Sequence, residues 1–417
     1  MPRSPLPASR RWQATLILTA VGVAVAAAAV TGWWYAREST PHQGPIVLLS
    51  INGLRPAALR AYGSTGGGIP AIDALAADGV VFDRAYTHSP LTLPAHASIL
   101  AGQLPFEHGV RDEAGFALKD DSRPIAELLR NRGFETGAAV SSFVLRPKSG
   151  VAQGFSFFDA NLPAEPVEGA PVVARDGRAT ADVAETWLDG RRGHRFFLFV
   201  QVDEDAAETA IGSLVGHLKS RGLYDQATIL LTADHAGSGA GVALDDAALR
   251  VPFIVKQPGR KGAGRHVATP VQHIDILPTV LDLVRAPIPA GLRGRSLRRV
   301  LDGDTDSLTA PRIYADSLAA SFRFGGAGRF SLATPTHRYV RGSREELIDL
   351  EDGTATSPAP DGRETAELRD ELSQLIEGHE PSTPEDVDAA DEDRFAMLGY
   401  LGGGRLAGAT PEPLDPE

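Results

Sequence analysis

Cysteine is absent from the 417 residues, and that removes whole chemistries at once. There is no disulfide framework, no thiolate metal site, no Cys nucleophile and no redox CxxC pair. No basic run with interleaved aromatics is present to neutralise phosphates, so nucleic acid is not an expected partner. The stretch Ser64-Thr65-Gly66-Gly67-Gly68 lacks the Lys-Ser/Thr pair that completes a phosphate-cradling loop. Negative charge, by contrast, is plentiful and uneven. Of the formal −12, the stretch from Glu345 onward carries 21 Asp and Glu against 4 Arg, and the first 344 residues carry 37 basic against 32 acidic groups. The body is close to neutral and the tail is acidic. At 43% hydrophobic residues, the chain is long enough for one large core or a large domain plus a small one.

Arg3, Arg10 and Arg11 precede an uncharged run, Leu16 to Gly32, that ends in Trp33, Trp34 and Tyr35. As a helix this run is just long enough to cross hydrocarbon. The arginines then stay cytoplasmic, the aromatics sit at the far interface, and the main domain faces the periplasm or exterior. The expectation is a membrane anchor at 16–35, after a cytoplasmic 1–15 and before a linker at 36–45. A cleaved signal peptide, leaving a secreted protein, is the competing reading, because the Ala-rich stretch offers small-residue cleavage sites.

Beyond the linker, Ile46 to Ile51 is a nearly continuous apolar run bounded by Pro45 and Asn52-Gly53, the pattern of a strand buried on both faces. Similar runs recur at Phe196 to Val202, Ala227 to Thr232 and Val251 to Val255. Helical patterns lie between them: Ile125, Leu128 and Leu129 before Gly133, then Ile211, Leu214, Val215 and Leu218 before Gly222, each Gly suited to a C-cap. Strands alternating with helices predict an α/β fold, a mostly parallel sheet covered by helices. In such sheets ligands gather at the carboxyl ends of the strands. The first apolar run delivers Asn52 there, and the third delivers Asp234 and His235. A further segment, Ser89 to Ser98, runs into an apolar helix with Pro94 in its first turn, so Thr92 lies at or just before the helix N-terminus. Its hydroxyl suits an N-cap; a nucleophile or anion site is the sharper reading.

Taken in order, these segments resemble the sulfatase family of the alkaline-phosphatase superfamily, and the resemblance runs from Ile46 to Gly404. Ile46 to Arg55 is similar to the opening strand and metal-binding turn, where Ile-Asp-Thr-Leu-Arg is usual. Pro90 to Gly102 is similar to the nucleophile segment, and Pro105 to Val110 to the turn after it. Thr232-Ala-Asp234-His235-Ala is similar to the Asp-His-Gly metal motif. Leu249 to Phe253, His273 to Thr279 and Met397 to Gly403 match further family signatures. The resemblance implies a sulfatase-like α/β domain at 46–310 and a small C-terminal subdomain at 311–377. The remaining stretch, 378–417, reads as an acidic Pro/Gly-rich tail that buries too little to order itself, with only 397–401 docking as a short segment. That tail is a solvated linker, or a surface for a protein partner.

The family's chemistry needs metal to activate a hydroxyl nucleophile and to neutralise charge on the transferring group. In relatives with Thr as nucleophile, one metal sees an N-terminal Asp, the Thr and an Asp-His pair. Those positions here are Asn52, Thr92, Asp234 and His235. Asn52 offers a carbonyl oxygen but no charge, which weakens the hold on a divalent cation and raises the pKa expected of the Thr92 hydroxyl. His96 stands where formylglycine-using members place Arg. It is the second residue expected at the reaction centre, a helix-face histidine contacting a loop being the alternative. The second metal position of relatives has no histidine here, although Asp203 or Asp205 could ligate weakly. Formylglycine is made from Cys, or in some cases Ser, so Thr at this position excludes it.

The resemblance therefore implies at most one well-supported site for a divalent metal (zinc, manganese, magnesium or calcium) and an anionic ester as substrate or ligand. The expected protein is a membrane-anchored sulfatase relative with lost or impaired catalysis, acting by binding a ligand or partner. The alternative is an active metal-dependent phosphoester or sulfoester hydrolase using Thr92.

Overall fold

The computed structural model describes residues 22, 44–163, 172–191, 195–237, 241–357 and 362–401, and nine of the strands in them make up the larger of two sheets. They are β1 (Ile46–Asn52), β2 (Val80–Tyr86), β3 (Glu135–Val140), β4 (Phe157–Asp159), β5 (Phe196–Asp203), β6 (Thr228–Ala233), β7 (Arg250–Lys256), β8 (Arg265–Val267) and β9 (Val271–Gln272). Together they form one sheet in the order β4-β3-β5-β1-β6-β7-β2-β8, with β9 pairing β2. All neighbours are parallel except β7, which runs against both β6 and β2. The mostly parallel sheet read from the apolar runs is the one observed. β1 lies between β5 and β6, and Ile46, Val47, Leu48, Leu49 and Ile51 are all at most 1% exposed. Apolar side chains on both faces are what a sheet covered by helices requires.

The helices include α1 (Pro70–Ala77), α2 (Thr92–Ala101), α3 (Ile125–Arg130), α4 (Gly177–Asp189), α5 (Ala207–Ser220) and α6 (Ile276–Leu283). Asp176 caps α4 by accepting from the amides of Arg178 and Ala179. α5 buries Ile211, Leu214, Val215 and Leu218, and Gly222 turns the chain past its end with φ +68°. α2 differs from both: all ten of its residues are buried.

A second, antiparallel sheet holds β10 (Ile313–Ser317), β11 (Arg329–Ala333), β12 (His337–Arg341), β13 (Glu345–Asp349) and β14 (Ala355–Thr356) in that order. Over it lies α7 (Arg363–Ile376), whose Leu368 and Leu372 share a core with Tyr314, Phe330, Leu332 and Tyr339. Leu104, Phe106 and Ile274 from the large α/β body join the same cluster.

The acidic stretch after α7 is more ordered than its composition suggests. Residues Ala389–Met397 form α8, and Phe395 is fully buried, its ring edge-on to Phe143 at 5.2 Å. Arg146 lies over both rings, 4.5 and 4.8 Å from their centroids, and pairs with Asp391 at 3.0 Å. Upstream, the Glu385 amide donates to the Gly115 carbonyl at 2.7 Å. Docking therefore begins well before 397, which corrects the expected tail. One aromatic anchor, with acidic neighbours meeting basic partners, substitutes for a broad apolar face.

The expected membrane helix at 16–35 lies outside the described residues except for Gly22. Among the described residues no helix is long and apolar enough to cross a membrane.

Candidate functional site

The central strands end side by side, and their last residues meet. In the register of β1 with β5, Asn52 pairs with Asp203. The Asn52 amide donates to Asp203 Oδ1 at 2.9 Å. Past the end of β6, Asp234 Oδ1 accepts from the backbone amides of Gly53, at 3.1 Å, and His235, at 2.9 Å. Gly53 can present its amide this way because its φ is +75°, a conformation that costs glycine nothing. With Oδ1 so engaged, Asp234 Oδ2 has no hydrogen-bond partner, although the side chain is fully buried. An orphaned carboxylate oxygen at zero exposure is expensive unless a cation meets it.

His235 completes that corner. Its Nδ1 lies 3.0 Å from the Gly237 carbonyl, which can only accept, so Nδ1 carries a proton and in the neutral ring the lone pair is on Nε2. Nε2 stands 3.5 Å from Asp234 Oδ2 and 3.4 Å from Thr92 Oγ1. The Thr92 hydroxyl is also 3.4 Å from Asn52 Oδ1. Asn52, Thr92, Asp234 and His235 are thus brought together as lone-pair donors around one point. Among the described residues no group of three or more His, Cys, Asp or Glu side chains is placed to hold a metal ion. The donor set is two such groups, supplemented by an amide oxygen and a hydroxyl.

Thr92 is the first residue of α2, and its side chain does not cap the helix; the residue before it is Leu91. The N-cap reading is therefore corrected. The cap comes from Glu113, whose two carboxyl oxygens accept from the Thr92 amide at 2.6 Å and the Leu93 amide at 2.8 Å. This leaves the Thr92 hydroxyl to meet Asn52 and His235. Glu113 is 1% exposed, and burial pushes its carboxyl up to about 8 against the pull of those two amides.

His96 sits one turn further along α2 and is fully buried. Its Nδ1 lies 2.7 Å from the Thr92 carbonyl, its Nε2 2.9 Å from Ser50 Oγ, and its ring meets Phe199 edge-on. Burial lowers its pKa. Both ring nitrogens are taken up in bracing α2 against β1, so His96 does not join the Asn52, Thr92, Asp234 and His235 group as the sequence led one to expect.

The sequence model of the family described as Sulfatase matches residues 45–204 and 206–286, more than half of the chain. The chain belongs to the sulfatase family. Two ulvan-active sulfatases of Formosa agariphila are similar to it: one is 22% identical over 284 residues, 58% of this chain and 54% of the relative, the other 23% identical over 343 residues, 64% and 66%. The chain thus spans between half and two thirds of the length of these relatives. Human arylsulfatase A is 24% identical over 464 aligned positions, covering 88% of this chain and 85% of that one. Among solved structures, a phosphonate monoester hydrolase of Agrobacterium radiobacter superposes with a TM-score of 0.66 at 19% identity, over 80% of this chain and 95% of that one, a likeness of fold.

Around this sulfatase-family site, the flank after β5 holds Asp203, bound to Asn52, and Asp205, which is exposed. Burial raises the Asp203 pKa, with the Asn52 hydrogen bond pulling the other way. Arg55 is exposed, with its side chain near Gly237. His108 and His273 make structural contacts: His108 Nδ1 accepts from the Val110 amide, and His273 Nε2 meets Thr232 Oγ1.

Two residues escaped the sequence reading. Glu113 belongs to Arg111-Asp112-Glu113, three charges in a row on which the sequence reading is silent, and all three are at most 2% exposed. Tyr400 was legible only as part of a signature. Its ring lies 4.6 Å from the Arg323 guanidinium, and Glu113 and Asp234 are close enough to oppose ionisation of its hydroxyl, beneath the larger effect of burial.

Proposed function

We propose that this protein is a membrane-anchored sulfatase relative whose ester hydrolysis is lost or strongly impaired, and that it acts by binding an anionic ester ligand or a partner on the retained scaffold. The observation that carries this reading is the Asn52–Asp203 hydrogen bond of 2.9 Å. Where the family uses a charged oxygen, this chain has an amide, and the amide's own donor holds the neighbouring carboxylate in place.

The residues that would hold a divalent cation are Asp234 and His235, with Asn52 Oδ1 and Thr92 Oγ1. The orphaned Asp234 Oδ2 and the unprotonated His235 Nε2 fit one such ion. With a single carboxylate among four donors, the site suits zinc, manganese, magnesium or calcium only weakly, since affinity for these ions follows the charge of the ligand set. When bound, the cation supplies charge neutralisation for an anionic ester and lowers the pKa of a coordinated hydroxyl. His96 acts as a positioning residue, fixing the Thr92 carbonyl against Ser50. The domain faces the periplasm or exterior, tethered by the 16–35 helix.

One observation favours residual turnover: the Thr92 hydroxyl lies within 3.4 Å of both Asn52 and His235. The test is to measure bound metal on the purified protein and to assay phosphate mono- and diesters and sulfate esters with each of the four metals. Sub-stoichiometric metal and no turnover with any of the four is the expected result. Turnover that disappears in Thr92→Ala and Asp234→Ala would overturn the impaired reading.

A further inference from the structure

Resting on that reading of the Thr92 site, we propose that the C-terminal segment 385–401 is a strap that fixes Thr92 in place, with Tyr400 as its positioning residue. The strap clasps the turn that carries Glu113 at two points. At one, the Glu385 amide donates to the Gly115 carbonyl at 2.7 Å. Gly115 has φ +76°, and a Cβ there would stand 2.5 Å from the Glu385 carbonyl oxygen, so the two backbones meet with no room for a side chain. At the other, Tyr400 lays its ring 4.6 Å from the Arg323 guanidinium. Nε of Arg323 donates to Asp112 Oδ2 at 3.1 Å, and Nη2 donates to Asp112 Oδ1. That same Oδ1 accepts from the Glu113 amide at 2.7 Å. The Glu113 carboxyl group in turn holds the amides of Thr92 and Leu93, at 2.6 and 2.8 Å. Contact is therefore continuous from Tyr400 to the residue whose hydroxyl lies 3.4 Å from both Asn52 and His235.

Tyr400 does not move independently of the strap's anchor. Gly399, with φ +73°, turns the chain out of α8; its amide donates to the Ala396 carbonyl at 3.0 Å, and the Tyr400 amide donates to the Phe395 carbonyl at 2.9 Å. These two bonds close a Schellman cap, so seating the Phe395 ring seats Tyr400. Burial is the main reason the Tyr400 hydroxyl resists ionisation, and the charges of Glu113 and Asp234 add to it, which puts Tyr400 within electrostatic reach of both. The rest of the strap is held by charge, Asp391 on Arg146 and Asp388 on Lys148, the latter pair half-exposed. Lifting the strap admits water to Arg323, whose grip on Asp112 weakens as its surroundings become more polar. Asp112 and Glu113 are then loosened together, and Thr92 loses the carboxyl group that fixes its amide. Whatever draws the acidic segment off its basic seats is felt at Thr92.

The experiment is hydrogen–deuterium exchange of the full-length protein, read by mass spectrometry on overlapping fragments. The opening turn of α2, Thr92 and Leu93, is compared with β1 and β6 as internal controls. Tyr400→Ala is expected to speed exchange at that turn at least about tenfold and to leave both strands at their wild-type rates. Tyr400→Phe keeps the ring on Arg323 and should stay within about twofold of wild type. Phe395→Ala should match Tyr400→Ala at the turn, and the double variant should exceed either by no more than about twofold, because both changes undo one seating. Wild-type exchange at the turn in Tyr400→Ala, an equal loss of protection in Tyr400→Phe, or additive effects in the double variant would overturn the proposal. If Phe395→Ala loosens the strands as well, the two Tyr400 variants decide alone. The readout depends on neither turnover nor bound metal, so ester hydrolysis by the wild type would overturn the impaired reading and leave the strap to be judged by exchange.

Discussion

The two flanks of β1 end in the same way and have been left in opposite states. On the β6 side, Asp234 spends one oxygen on two backbone amides and leaves the other buried without a partner, facing an imidazole lone pair. On the β5 side, Asp203 has the Asn52 amide as its partner, and nothing there is left wanting a cation. A single atom type distinguishes them, since a carboxylate at position 52 would leave both flanks short of positive charge. The difference teaches that strand geometry and ligand charge are separable. The backbone brings donors together on both flanks, while on the β5 flank an internal hydrogen bond stands where a second charged oxygen would leave the flank wanting a cation.

Substitutions can break this contrast in graded steps. Asp234→Asn removes the only carboxylate on the open flank and should weaken divalent metal binding, measured by calorimetry, by more than the ~10- to 100-fold that loss of an outer partner costs. Retained affinity would mean the open flank is not where metal binds. Asn52→Asp should open the closed flank. Metal binding is expected to tighten about tenfold as ligand charge rises. Without metal, stability should fall by about 1–2 kcal/mol as a hydrogen bond becomes a like-charge contact. Urea titrations with and without metal read both effects, and a variant as stable as wild type without metal would deny the contrast.

His108 belongs to neither flank and calibrates them. Burial holds its pKa down at about 3, from 6.5. As pH falls below 6.5 the unfolded chain takes up a proton that the native state refuses. This group alone therefore costs the wild type about 1.4 kcal/mol per pH unit down to about pH 3. Gln can keep both hydrogen bonds, to Ser98 and the Val110 amide, without titrating. The stability gap between wild type and His108→Gln should therefore narrow on acidification, and a gap constant from pH 7.5 to 5 would refute it. The smallest effect is expected for Asp203→Asn, which keeps an acceptor for Asn52; metal affinity should change by less than about twofold.

Much of the fold was legible because its signals are local. Ile46 to Ile51, Phe196 to Val202 and the other apolar runs became central strands, and Gly222 ended α5 as its position suggested. Asn52, Thr92, Asp234 and His235 were legible because strand ends and a helix start place them, and the family motifs name the same positions. What stayed hidden depends on distant partners. Glu113 is one of three consecutive charges until the α2 amides and Arg323, 211 residues beyond Asp112, are in place. The N-cap assigned to Thr92 failed for the same reason, since a carboxyl group from elsewhere in the chain outcompetes the local hydroxyl. Phe395 was hidden in an acidic stretch whose average composition argues against order, although a single ring, well placed, is enough to dock it.

Asn52 and Asp203 also bear on what substitution can achieve. An amide facing a carboxylate at 2.9 Å is content as it stands. Placing an acid at 52 sets two carboxylates in register at the ends of adjacent strands, a less stable arrangement unless metal is already present or position 203 changes with it. The hydrogen bond therefore works as a latch, and a second charge enters the β5 flank only together with the partner that neutralises it.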